Sequence, residues 1–339
     1  MGQDRLVAVT GAGGFLGRRV CAALAREGYR TRALVRDGSG AVEPAGVSET
    51  LIGDLADKDL APRLLEGACG VFHLAGIVGK AGVLASDYWE VHVTSTKRLL
   101  AAARKQGVRR FIHCSSASIM GSVANPPAAE DAPLGLRDIY DITKAQGEVA
   151  VLSGGGRGET SVTVIRPAVA YGPGDARRLW FFRAIASGRF WLIGDGANLI
   201  HPVFIDDLVE GMMAAFNSPH SAGKTYILGG ERYLPLRDWI ELIAAECGRR
   251  VTIRRAPYYP ALAAASACEW LFRMTGAQPP IYRRYADFFM KSRAYSIELA
   301  RRELGYQPKV GLEEGARRTL KWYMEQGLIP AGGGHPAGS

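Results

Sequence analysis

The chain has 339 residues, 47% of them hydrophobic and 22% charged, with a formal net charge of +9. That length can bury one large core or two modest ones, and the balance is that of an ordinary globular protein, not a fibre or a low-complexity tail. No run of eighteen apolar residues occurs, the N-terminus lacks a secretory or myristoylation pattern, and five scattered cysteines form no CxxC pair; a cytoplasmic protein with reduced thiols and no metal site is expected.

In chain order, RLVAVT (5–10) is a short apolar run ended by glycine, which predicts a buried parallel strand. FLGRRVCAALARE (15–27) repeats apolar side chains at Leu16, Val20, Ala23 and Leu24, a helical spacing that Gly28 closes. TRALV (31–35) predicts a second strand, 59–66 a short helix, GVFHLAG (70–76) a strand, and YWEVHVTSTKRLLAAARKQG (88–107) one long helix ended by glycine. RRFIHCSS (109–116) is a further strand, IYDITKAQ (139–146) opens a helix, and SVTVIRP (161–167) is a strand stopped by proline. This alternation predicts an α/β fold, a doubly wound parallel sheet with right-handed crossovers. Beyond residue 170 glycine and proline break the rhythm, with helices expected at 206–216, 235–247, 260–274 and 313–326.

The charge is uneven. Arg249 to Lys321 carries fifteen basic residues against six acidic ones, which equals the whole excess. The charges come as doublets such as Arg283-Arg284 and Arg301-Arg302 and fit no nucleic-acid motif. A solvated surface is the favoured reading, with contact to a membrane surface weighed below it.

Between the first strand and the first helix lies TGAGGFLG (10–17), with Gly11, Gly14 and Gly17 spaced GxxGxxG. Glycines there let the backbone approach a pyrophosphate, and the helix that opens at Phe15 and Leu16 offers free N–H groups. This makes the first half a dinucleotide-binding (Rossmann) domain. The expected division is 1–170 for that domain with about 203–230 returning to it, 171–329 for a smaller C-terminal α+β substrate lobe, and 330–339 for a disordered tail. The second strand ends Leu34-Val35-Arg36-Asp37. Val35 stands where a NAD site carries an acid, and Arg36 immediately after it offers a guanidinium suited to a 2′-phosphate. NADP(H) is favoured, and Asp37 keeps NAD(H) possible.

These segments together resemble the extended short-chain dehydrogenase/reductase family, whose markers stand in order from residue 5 to 326. They are TGAGGFLG (10–17), GDL (53–55), HLAG (73–76), CSSAS (114–118), YDITK (140–144), IRPAVAYGPG (165–174) and FIDDL (204–208). The resemblance implies that Asp54 contacts the adenine and that Leu55, Leu74, Ala75, Gly76 and Pro167 line the cofactor. It implies Ser116 as catalytic hydroxyl, Tyr140 as general acid/base and Lys144 as the ammonium that lowers the phenol pKa and binds the nicotinamide ribose.

Departures from the family pattern narrow the reaction. Ala117 and Ser118 stand where sugar dehydratases have an acidic pair. Ile200 stands where many nucleotide-sugar enzymes have a diphosphate-binding arginine, and His92 replaces the usual asparagine. Ser118, Tyr171, Ile200 and His201 are the expected substrate-side positions, with a structural role for His201 weighed above a catalytic one. YYPALAAASACEWLFRM (258–274) and PPIYRRYADFFM (279–290) are similar to the 3β-hydroxysteroid dehydrogenase and dihydroflavonol reductase branch. Substrate cover and plain packing are weighed equally for the first of these segments. The expected activity is NAD(P)-dependent interconversion of a ketone and a secondary alcohol on a hydrophobic, cyclic small molecule such as a sterol, isoprenoid or aromatic metabolite. A nucleotide-sugar epimerase is the alternative, a non-catalytic dinucleotide-binding regulator the third reading, and a homodimer is possible.

Overall fold

Leu6–Thr10 (β1) is buried at every residue, so its sequence shows no polar alternation. It belongs to a seven-stranded, wholly parallel sheet whose strands lie in the order 224–228, 161–167, 110–114, 70–73, 6–10, 30–35 and 49–52. The computed structural model describes residues 5–36, 45–78, 82–154, 160–273 and 288–330. The stretch from Asp37, most of PPIYRRYADFFM with Arg283-Arg284, and the tail from 331 lie outside the described residues.

After β1 come α1 (Phe15–Arg26), β2 (Arg30–Val35), β3 (Glu49–Ile52), α2 (Leu60–Leu65) and β4 (Gly70–His73). The stretch predicted as one long helix is three pieces: α3 (Ala85–Trp89), a π-helical turn (Glu90–Thr94) and α4 (Ser95–Lys105). Its widened turn is marked by Ser95 N donating to Glu90 O, five residues back. Then follow β5 (Arg110–Cys114), α5 (Ile139–Gly154) and β6 (Ser161–Pro167). Leu74–Gly76, read as strand, is the loop leaving β4.

The remaining chain is woven from short pieces: β7 (Val169–Tyr171), α6 (Leu179–Ala186), β8 (Arg189–Ile193), β9 (Leu199–Ile200), β10 (Pro202–Phe204) and α7 (Ile205–Asn217). β11 (Lys224–Leu228) re-enters the main sheet beside β6, and α7 packs against α1. β12 (Leu234–Pro235), α8 (Leu236–Glu246), β13 (Thr252–Ala256) and α9 (Tyr258–Arg273) follow, then helices Glu298–Leu304 and Leu312–Glu325. Outside the main sheet β7 pairs with β10, β9 with β12, and β8 with β13. β3 and β11 escaped the sequence reading. ETLI is a partly exposed edge strand and KTYIL a short run after an irregular stretch, so neither shows a long apolar signature.

One hydrophobic cluster joins Val7, Val9 and Phe72 of the sheet to Phe182, Phe190 and Trp239 of the later chain. The two halves therefore share a core. A buried ion pair ties α5 to β6: the Arg166 guanidinium donates to both oxygens of Glu148 at 2.8 to 3.2 Å, and its Nη1 donates to Glu130 O at 2.8 Å. Removing one partner of a buried pair strands the other charge. Glu148→Ala should cost about 3–5 kcal/mol in urea unfolding, and the double change Glu148→Ala with Arg166→Met should recover much of that loss.

Candidate active site

The strands are parallel, so the loops after β1, β2, β3, β4, β5 and β6 all leave the same edge of the sheet. Gly11, Arg36, Asp54, Leu74–Gly76, Ser116 and Pro167 are consequently gathered along one edge. In the first loop Gly14 N donates to Gly11 O at 3.0 Å, and α1 begins at Phe15 with no side chain capping its amides and no acid in its first turn. A Cβ on Gly17 would overlap Gly11 O, and one on Gly11 (φ +69°) would lie 2.8 Å from Ala75 N. The tight turn and the bare amides of Phe15, Leu16 and Gly17 fit a dinucleotide pyrophosphate. Arg36 is exposed at the end of β2, and Asp54 accepts from Ala56 N at 2.8 Å with Leu55 half-buried beside it.

The loop after β4 is held by a hydrogen-bond chain whose direction is forced. Thr96 donates to His92 O at 2.8 Å, so it accepts from His73 Nε2 at 2.9 Å. His73 Nδ1 then accepts from Thr10 Oγ1 at 2.8 Å, and Thr10 in turn accepts from Leu74 N and Ala75 N at 3.1 Å each. On the other side Ile77 N donates to His92 Nε2 at 2.9 Å. His92 Nδ1 must therefore carry the proton and donate to Thr143 Oγ1 at 2.8 Å, which passes its own to Ile139 O. Both imidazoles are neutral. Burial first, and the Lys144 charge after it, push His73 down to about 3 and His92 to about 2. His113 is driven well below its ordinary value by the same burial, and neither of its ring nitrogens has a partner.

α5 carries Tyr140 and Lys144 one turn apart. Lys144 is buried, and its Nζ donates to Cys114 O at 2.8 Å. A Cβ on Gly76 would come within 3.1 Å of that ammonium and 3.2 Å of His92 Nε2, so only glycine leaves the approach open. Burial lowers the Lys144 pKa, with Cys114 and Glu148 opposing. Tyr140 is half-buried, edge-on to His92 at 5.6 Å between ring centroids. Beyond β5, Ser116 donates to Ser118 Oγ at 3.0 Å, and Ser118 donates to Asp141 at 2.9 Å. Asp141 is the neighbour of Tyr140, so the chain of hydroxyls ends on the same helix.

Three of the expected substrate-side residues are buried. Tyr171 is buried between Phe204 and Trp239, and Ile200 is buried in the β9–β12 pair. His201 Nε2 donates to Gly230 O at 2.9 Å and its Nδ1 accepts from Tyr295 N at 3.3 Å. Each is a buried side chain; of the four, Ser118 is the one hydrogen-bonded to Ser116. The sequence reading missed Thr10, His73, Thr96 and Asp141. The first two stand inside quoted motifs and the last beside Tyr140, but their partners lie far along the chain.

A family model described as the NAD dependent epimerase/dehydratase family matches residues 7–229. The chain is 31% identical over 325 residues to a 2-alkyl-3-oxoalkanoate reductase of Stenotrophomonas maltophilia, covering 92% of this chain and 97% of that one. It is 31% identical over 317 residues to a 4-hydroxy-2-methyl-3-oxo-4-farnesyl-3,4-dihydroquinoline-1-oxide ketoreductase of Stigmatella aurantiaca, covering 91% and 93%. It is 26% identical over 348 residues to a 3-beta-hydroxysteroid dehydrogenase of Mycolicibacterium neoaurum, covering 96% and 95%.

The neutral histidines make stability acid-sensitive. Their folded pKa values lie below the unfolded value of about 6.5, so the unfolded chain binds more protons as pH falls below that value. Stability is therefore full above pH 6.5 and lost toward pH 3, at about 1.4 kcal/mol per pH unit for each histidine. His113→Phe should flatten the urea-unfolding slope between about pH 6 and pH 4 by one histidine's share; an unchanged slope would sink the assignment. Tyr171→Phe, which removes a buried hydroxyl without a partner, should leave KM unchanged and stability equal or higher.

Proposed function

The chain belongs to the NAD-dependent epimerase/dehydratase family, and from that premise we propose that it interconverts a ketone and a secondary alcohol on a hydrophobic, cyclic substrate, using NADP(H) in preference to NAD(H). It is an enzyme, an NAD(P)-dependent oxidoreductase of the extended short-chain type; the residue roles and the substrate class are our inference. The observation that carries it is Lys144, a buried ammonium beside Gly76, one helical turn from Tyr140 and hydrogen-bonded to the carbonyl of Cys114, two residues before Ser116.

When bound, the nicotinamide supplies or accepts the hydride. Tyr140 gives its phenolic proton to the carbonyl oxygen in reduction and takes the hydroxyl proton in oxidation. A free phenol has a pKa of about 10, too high for ready exchange near neutrality. The Lys144 ammonium on the same helix face stabilises the phenolate and brings that value down. Ser116 turns its hydroxyl from Ser118 to the substrate oxygen, while Ser118 stays anchored on Asp141. Gly11, Gly14, Phe15, Leu16 and Gly17 hold the pyrophosphate. Asp54 stands at the adenine, Arg36 at the 2′-phosphate, and Leu55, Leu74, Ala75, Gly76 and Pro167 along the cofactor.

Names of the relatives support an apolar substrate: an alkyl oxoalkanoate, a farnesyl quinoline and a steroid share an oxo or hydroxyl group on a largely hydrocarbon skeleton. The ring in this proposal rests on the second and third, since the first is open-chain. At the position where the family resemblance puts a diphosphate-binding arginine in sugar enzymes this chain has Ile200, which cannot hold a diphosphate, and that weighs against an epimerase.

Tyr140→Phe should lower kcat by about 10²- to 10⁴-fold and leave the thermal stabilisation by NADP intact; wild-type turnover in that variant would refute the general acid. NADP should stabilise the protein more than NAD at equal concentration, approaching about 2.7 kcal/mol at a hundredfold excess over Kd. Arg36→Ala should erase the difference between the two, and a preference for NAD in the wild type would reverse the cofactor assignment.

A further inference from the structure

The excess charge of the later chain is not neutralised evenly. On helix Leu312–Glu325, Arg317 pairs with Glu246 and Glu314, and Arg318 with Glu314. At the β8–β13 ribbon the reverse holds. Arg189, Arg249, Arg250, Arg254 and Arg255 are exposed, and among the described residues no carboxylate pairs with any of them. Trp191, 61% exposed, stands opposite Arg254, whose guanidinium lies 5.7 Å from the centre of its ring.

The ribbon runs through Pro257 into α9. One side of that helix is core: Ala265 is fully buried, and Tyr258, Ala261 and Leu262 pack against the main cluster. Its outer side holds Tyr259, Ala263, Ala267, Trp270 and Leu271, spaced i, i+4, i+8, i+11 and i+12. Tyr259, Trp270 and Leu271 are 80%, 67% and 57% exposed. Between Tyr258 and Phe272 the sole charge is Glu269, which is not on that outer stripe. A surface helix ordinarily turns polar side chains outward. This one turns apolar side chains outward, with aromatics near both ends and unneutralised arginines leading into it.

We propose that α9 and the β8–β13 ribbon form a docking surface for an anionic lipid bilayer. Tyr259, Trp270 and Leu271 enter the headgroup–acyl boundary, and the five arginines bind lipid phosphates. A symmetric contact between two copies through this face would double the unneutralised positive charge at the interface, whereas anionic headgroups cancel it. The proposal is independent of the substrate assigned above.

Vesicle flotation of the full chain tests it. The protein should float with phosphatidylcholine vesicles containing phosphatidylglycerol, float poorly with pure phosphatidylcholine, and be released in part by high salt. The double changes Trp270→Glu with Leu271→Glu and Arg254→Glu with Arg255→Glu should each weaken binding by about tenfold or more, with melting temperature and cofactor stabilisation retained. Should the first double variant fail to fold, Tyr259→Glu on the exposed first turn replaces it. Wild-type protein that stays off the anionic vesicles overturns the proposal, as does flotation undiminished in the variants. So does a dimer, seen by light scattering, that stays off vesicles and that Trp270→Glu with Leu271→Glu splits, since that assigns the face to a second copy.

Discussion

A backbone amide can only donate, and at Ile77 that constraint governs the chemistry around it. Because Ile77 N points into His92 Nε2 at 2.9 Å, His92 cannot be protonated there without losing the bond. The same logic, propagated through Thr96 and Thr10, makes His73 neutral. The loop that carries Leu74, Ala75 and Gly76 is thereby clamped from β1 on one side and from the π turn on the other. Charge follows from this. Lys144 sits among His73, His92 and His113, and an imidazolium on any of them would be a buried like charge beside the ammonium. The neutral histidines make room for one positive charge, and α5 carries it one helical turn from Tyr140.

Much of the framework was legible because it depends on local signals. Buried parallel strands announce themselves as unbroken apolar runs, and the glycine turn needs only its position between a strand and a helix. Tyr140 and Lys144 are four apart, so their common face is a matter of helix geometry. What could not be read was long-range. The partner of His92 is Thr143, fifty-one positions away, and that of Thr10 is His73, sixty-three away. The π turn in VHVTST has no compositional mark, since the same residues would fill an α-helix equally well. Tyr171 and His201 illustrate the opposite case. Their residue types suggest chemistry, but burial and backbone partners occupy them with packing.

The shared core has a mechanical meaning for the edge where the loops gather. Phe182, Phe190 and Trp239 belong to the same cluster as Val7, Val9 and Phe72, so the later chain is not a loosely tethered lid. Asp207 strengthens the join by accepting from Lys309 N and Val310 N at 2.9 and 3.1 Å. Packed interfaces of this kind move as units, which keeps the glycine turn and β7–β10 in fixed relation.

The widened turn at Glu90–Thr94 has a further consequence. It holds one residue more than a regular helical turn would need, and each residue of an α-helix advances the chain by about 100° around its axis. Excising a single residue there would leave an unbroken, well-bonded rod along the sheet. Because the widened turn fits its extra residue into nearly the same rotation and rise as a regular one, Tyr88 would keep its place relative to Ser95 and Thr96, and the residues of the turn itself, the imidazole among them, would be pulled away from Ile77. The sheet would survive such a deletion and the loop beside Lys144 would not. In this stretch, chain length is itself part of what shapes the loop beside Lys144.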